Sequence, residues 1–162
     1  MKRSIRIGSV SAALLTAVSS PALAAAGVIE EVVVTATKRE QSVQDVPIAI
    51  SAYSGEQLAS RGIQDLRDLQ QVSPSLAVYD SNSTSNGGTL RIRGVGTTGN
   101  NVGLESSVGT YVDGVYRPRA GQALTDLLDV QRIEVLRGPQ GTLFGKNTSA
   151  GALHLISNEP EF

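Results

Sequence analysis

Along residues 47–53 the apolar Ile48, Ile50 and Ala52 alternate with polar or smaller neighbours, the period-two pattern of a half-buried strand. Ser54, followed three residues later by Gln57, forms a capping box and predicts a short helix that Gly62 ends. Ile63, Leu66, Leu69 and Val72 recur at every third position and predict a second amphipathic helix, stopped before Pro74. Short strands are expected at 76–79 and 90–93, and the polar run 80–89 between them reads as a mobile loop. Glycines 94, 96, 99 and 103 make 94–107 a second irregular stretch. A strand at 108–112 then meets the turn dipeptide Asp113-Gly114, with Val115-Tyr116 returning as a hairpin. A helical turn or two is expected at 123–128, and a strand at 133–136 ends at Gly138-Pro139. Leu153, Leu155 and Ser157 alternate with His154 and Ile156 as a last strand. Strands interleaved with short helices and long loops indicate the α+β class.

The amino terminus follows different rules. Lys2, Arg3 and Arg6 precede a mild apolar run at 7–18, then Pro21 and Ala22-Leu23-Ala24, which is the order of an export signal over residues 1–24. Removing 24 of the 162 residues leaves 138. It also takes three of the 14 basic residues and none of the 15 acidic ones, for a net charge of −4. Further on, Val32-Val33-Val34-Thr35 is β-prone, and nothing beside it supplies the turn chemistry of a hairpin return. It is expected as an extended strip waiting for a partner strand.

Composition narrows the function. The acidic balance leaves no basic stripe for phosphates, which argues against nucleic acid as a partner. The absence of cysteine removes disulfides and thiolate metal sites. No run of about 20 apolar residues spans a membrane, and a large barrel would exhaust the chain. Gly94-Val95-Gly96-Thr97-Thr98-Gly99 matches a dinucleotide fingerprint, but the Gly-Asn-Asn-Val-Gly run that begins at its last glycine is a poor helix, so a flexible loop is the better reading. Residues 141–147 fall one residue short of a P-loop and carry Asn147 where Mg²⁺ needs a hydroxyl. His154 is the single histidine and is expected to be a half-exposed strand residue. Arg91 and Arg93, two apart, are expected on one strand face, while Glu134 and Arg137 flank Val135-Leu136. Enzymatic activity has little support, and no cofactor is implied.

Taken together, several ordered blocks resemble one family. Residues 30–39, with Glu31, Val32, Val33, Val34 and Thr35, look like a TonB box and its sequel. Residues 45–51, Arg91-Ile92-Arg93-Gly94, 111–116 and the long run 133–147 with Gly151-Ala152 look like successive blocks of the plug of TonB-dependent outer-membrane receptors. The resemblance covers residues 30–158. It implies a small mixed β-sheet with short helices and long glycine-rich loops, filling the lumen of a large, 22-stranded barrel. The implied division is a signal peptide at 1–24, a TonB-box segment and linker at 25–46, a plug at 47–158, and at 159–162 the start of a connection to the barrel. That barrel needs on the order of 220 membrane residues at ~10 per strand, so the chain is expected to be a piece of a larger protein.

By resemblance, Glu31 to Thr35 bind the C-terminal domain of TonB, and Arg93, Glu134 and Arg137 face barrel-wall charges. The loops carrying Asn82, Ser83, Thr97, Asn100 and Asn101 face an extracellular nutrient. The barrel belongs to the same chain or to a separate one, and the location is the outer membrane. The implied function is energy-coupled uptake of a scarce nutrient, a ferric siderophore above others. The alternative is a stand-alone periplasmic module that binds TonB or signals without transport.

Overall fold

The computed structural model describes residues 32–79, 88–97, 103–119, 121, 127 and 129–160. Among them, β3 (Ile50–Ser54), β6 (Val108–Val112), β7 (Val115–Arg117), β8 (Val130–Arg137) and β9 (Gly151–Ser157) form a mixed sheet in the order β3-β8-β9-β6-β7. The neighbours are antiparallel except β6 and β9, which run parallel. A two-stranded ribbon of β4 (Leu76–Tyr79) and β5 (Thr89–Ile92) packs against this sheet, and β1 (Val33–Val34) pairs with β2 (Gln41–Ser42) as a separate ribbon.

The central strands are apolar on both faces because both faces are covered. Ile133 and Val135 of β8, Leu153 and Leu155 of β9 and Val108 of β6 point to one side. There they meet Leu58, Ile63, Leu66 and Leu69 together with the inner face of β4 and β5. The alternate residues Leu136 and Ala152, with Ile50 and Tyr111, point the other way and meet Val34, Ala36 and Val46 of the amino-terminal segment. Period-two alternation thus sorts one set of strands into two cores.

The helix α1 (Gly55–Ser60) starts where its capping chemistry requires. Ser54 is extended, at φ −71° and ψ 154°, and its hydroxyl accepts from the Gln57 amide at 3.2 Å. Gly62 takes φ +70° just past the helix end. The predicted turn at Asp113-Gly114 has φ values of +51° and +78°, the two-residue geometry that matches strand twist, and joins β6 to β7.

Four expectations are corrected. The apolar repeat at 63–72 does not build an α-helix; a 3-10 turn at Asp68–Gln71 is found instead. A spacing of three is the 3-10 period, and the Asp65 carboxylate holds the Arg67 and Asp68 amides at 2.7 and 3.0 Å in a tight turn. Those contacts, the Asp68 amide foremost, hold Asp65 below the usual carboxylate value. Arg93 is not on a strand face with Arg91. It sits at φ +54° beside Gly94 at +78°, in a tight turn closed by mutual Ile92–Val95 hydrogen bonds of 2.9 and 3.0 Å.

The strip at 32–35 does find a hairpin return. The Lys38 amide donates to the Thr35 carbonyl at 2.8 Å with Lys38 itself at φ +59°, and Thr37 Oγ1 donates to Gln41 Oε1 at 2.6 Å. This turn is built by a left-handed lysine and a side-chain bond, so it carries no Gly or Asn signature. His154, finally, is buried rather than half-exposed. The helix expected at 123–128 lies mostly outside the described residues, as does most of the loop expected at 80–89, whose last residue, Thr89, instead opens β5.

Candidate functional site: a docked strip over a buried carboxylate

The sheet register aligns one row of side chains on its second face. Ala52 stands beside Glu134, Glu134 beside His154, His154 beside Tyr111, and Tyr111 beside Tyr116. Glu134 is completely buried, and a buried carboxylate needs partners. Its Oε1 accepts from the Thr35 amide at 2.8 Å, the Thr35 hydroxyl at 3.3 Å and Arg132 Nε at 3.0 Å. Arg132 also reaches back to Gln131 and donates to Thr35 Oγ1 at 3.4 Å, closing a ring of three residues.

The second oxygen, Oε2, faces His154 Nδ1 at 3.6 Å. That separation exceeds hydrogen-bond length, and the contact is an ion pair only when the ring carries its second proton. Neither His154 nitrogen has a hydrogen-bond partner among the described residues. Burial by itself pushes the Glu134 carboxyl up. The His154 ring, the Thr35 amide and the Arg132 guanidinium outweigh it and hold the group below the usual carboxylate value.

Around His154 the face is aromatic. Tyr111 lies 6.0 Å from the imidazole and Phe144 6.2 Å, both edge-on, and the Tyr111–Phe144 centroids are 5.0 Å apart. Tyr111 donates its hydroxyl to the Phe144 carbonyl at 2.6 Å, and burial, aided by Tyr116, raises its phenol above the ordinary value. Lys38, from the turn of the docked strip, stands 5.8 Å over the Phe144 ring. The amino-terminal hairpin is therefore held by an apolar contact, one cation–π contact and one buried carboxylate.

The residues singled out in the sequence are distributed as follows. Val32 to Thr35 form the docked strip, with Val34 fully buried and Val33 43% exposed; Glu31 lies outside the described residues. Glu134, expected to face a surrounding wall, is covered here by the chain's own residues 32–36, because the side chain points to the face on which the strip lies. Arg137 is half-buried and donates from Nη2 to the Ile50 carbonyl at 3.2 Å, bracing the start of β3. Arg93 is exposed. Thr97 ties its segment to the base of β6, its hydroxyl donating to Ser107 Oγ at 3.0 Å and accepting from the Ser107 amide at 3.1 Å. Asn82, Ser83, Asn100 and Asn101 lie outside the described residues.

Arg132, His154 and Tyr111 were not picked out as site residues. Arg132 had a signal: it stands two positions from Glu134, on the same strand face. Tyr111 and His154 join the site through a pairing between strands 43 residues apart in sequence, which no local pattern marks.

The family model described as TonB-dependent Receptor Plug Domain matches residues 42–152. The Pesticin receptor of Yersinia pestis is 33% identical over 132 residues, which are 80% of this chain and 19% of that protein. The Iron-regulated outer membrane virulence protein of Vibrio cholerae is 30% identical over 159 residues, 94% of this chain and 24% of that one. The ferric yersiniabactin uptake receptor FyuA of Yersinia pestis superposes with a TM-score of 0.62 at 31% identity, over 70% of this chain and 17% of that chain. The ferripyoverdine receptor of Pseudomonas aeruginosa, at 20% identity, shares the fold with a TM-score of 0.63 over 80% of this chain and 16% of its own. The chain spans about a fifth to a quarter of the length of the two sequence relatives. Three of these relatives are named as receptors and the fourth as an outer membrane protein, and none is named as an enzyme, in line with the reading of the sequence.

Proposed function

The chain belongs to the TonB-dependent receptor plug domain family, and from that premise we propose that it gates an outer-membrane receptor for energy-coupled uptake of a ferric siderophore. The observation that carries the reading is the strip at Val32–Thr35. It is extended, and beside its apolar contacts it is held by only a two-residue ladder and a single carboxylate, so few polar contacts have to break for it to add to a partner strand. The partner is the C-terminal domain of TonB. Iron uptake is favoured by relatives named as ferric yersiniabactin, ferripyoverdine and ferrichrome receptors or transporters.

Arg93 is the residue proposed to meet a carboxylate of the barrel wall. It is exposed in a left-handed turn position that glycine takes at lower cost, which supports a use for its guanidinium beyond the turn. Arg137, half-buried and bonded to the Ile50 carbonyl, is proposed to face the same wall, whereas Glu134 serves the strip. The substrate-facing role of Asn82, Ser83, Asn100 and Asn101 rests on their loop composition, and Thr97 anchors the base of one of those loops.

The test is calorimetry of this chain against the TonB C-terminal domain, followed by iron-siderophore uptake in cells carrying the plug within a receptor barrel. Binding and TonB-dependent uptake are expected. Binding without uptake selects the stand-alone signalling module, and neither one refutes both readings.

A further inference from the structure

The backbone of the strip is committed on two sides. The Val43 amide donates to the Val32 carbonyl at 3.0 Å. With Val33 opposite Ser42 and Val34 opposite Gln41, the hydrogen-bonded pairs are therefore 32 with 43 and 34 with 41. Antiparallel pairing alternates, so Val33 and Thr35 direct their amides to the opposite edge. On that edge the Thr35 amide donates to Glu134 Oε1 at 2.8 Å. An incoming strand that pairs there offers its own carbonyl oxygen to the same amide.

We infer that Glu134 is a competitive occupant of the partner-binding edge, its carboxylate standing where the carbonyl of an added strand would sit. The inference rests on the reading that the strip binds TonB by strand addition, and it names the residue that restrains that binding. Three observations converge on it. The bond is charge-assisted, hence stronger than the backbone bond that would replace it. Arg132 Nε holds the same oxygen, Oε1, at 3.0 Å, so that oxygen does not swing away freely. Val34 and Ala36 are fully buried beside it, so the strip lies flat on the sheet while the bond is made.

The experiment uses the 162-residue chain, amide hydrogen exchange at Thr35, and calorimetry with the TonB C-terminal domain. Glu134→Gln is expected to speed Thr35 exchange and tighten TonB binding, each roughly tenfold, the size of one charged hydrogen bond. Glu134→Asp keeps the charge but shortens the reach, and changes both readouts in the same direction if Glu134→Gln does not fold. Thr35→Pro removes the donor that both competitors need, so it frees the strip without tightening TonB binding. Normal TonB binding with unchanged Thr35 exchange in the Glu134 variants overturns the competition alone, as does tightening by Thr35→Pro equal to that by Glu134→Gln. Silence of every protein toward TonB, with Thr35 exchange accelerated, overturns the TonB reading and the competition with it.

Discussion

Glu134 and His154 face each other across the β8–β9 ladder, Oε2 to Nδ1 at 3.6 Å; both are buried, and Glu134 also holds the amino-terminal strip through Thr35. A carboxylate so placed ties the docking of residues 32–36 to the charge state of a group in the middle of the sheet.

That dependence has a definite sign. Because the Glu134 carboxyl is held below its ordinary value in the folded chain, it favours folding in its charged form. The stabilisation is complete above the unfolded value of about 4.3 and is lost as pH falls through the lower folded value. Urea midpoints measured from pH 7 down to pH 3 should fall on the acid side, and less steeply in Glu134→Gln. Other carboxylates contribute to both proteins, so the difference between the two curves isolates Glu134. Superimposable acid limbs would show that the carboxylate has no role in stability.

Two neighbouring proline substitutions should behave differently. Val33 directs its amide away from β2 and Val34 directs its amide toward it. Val33→Pro removes a donor from the partner edge and should weaken TonB binding while leaving the hairpin folded. Val34→Pro removes a rung of the hairpin and buried apolar surface together. It should release residues 32–36 from the sheet, read as loss of protection at the Thr35 and Val43 amides. Calorimetry and exchange on the pair check both halves, and equal TonB affinity for Val33→Pro and the parent would remove the strip from the binding site.

The first core is expected to dominate stability. Leu153 is fully buried between Thr110 of β6 and Val135 of β8, on the face that carries Ile63 and Leu66. Leu153→Ala should cost about 2–5 kcal/mol by lost burial and the cavity left behind, measured as a lowered urea midpoint at unchanged slope.

Gly151 opens β9 at φ +151°, and a Cβ there would lie 2.3 Å from the Leu136 carbonyl oxygen and 2.7 Å from Ile92 Cδ1. Backbone oxygen cannot yield as a side chain does. Gly151→Ala should therefore destabilise by at least about 2 kcal/mol, and the damage should appear in exchange at the β8–β9 ladder before it appears elsewhere.

How far the sequence led depends on the range over which each feature is determined. The Ser54–Gln57 cap and the Asp113-Gly114 turn are decided within four residues, and both are found where the residues place them. The segment 63–72 shows the limit of periodicity: a repeat of three satisfies a helical template, yet the Asp65 side chain and the burial of Ile63, Leu66 and Leu69 are met by a tight turn and a short 3-10 turn. The hairpin at 33–42 stayed hidden because a lysine takes the left-handed position. Glu134 was visible as a charge within a strand, but its burial is decided by Thr35, 99 residues away. Local chemistry was legible, and the second core was not, because its two halves come from opposite ends of the domain.

The register of the amino-terminal hairpin also sets how it comes apart under load. Val32 and Val43 form its open mouth, with the turn at the far end. A pull on the chain ahead of Val32 therefore meets its rungs in series, 32 with 43 first and 34 with 41 next, rather than in parallel shear. Peeling of this kind proceeds at low force until it reaches Thr35, where the next thing to break is a grip on a buried charge. The hairpin is thus a zipper with a catch at its end, soft to begin opening and stiff to finish.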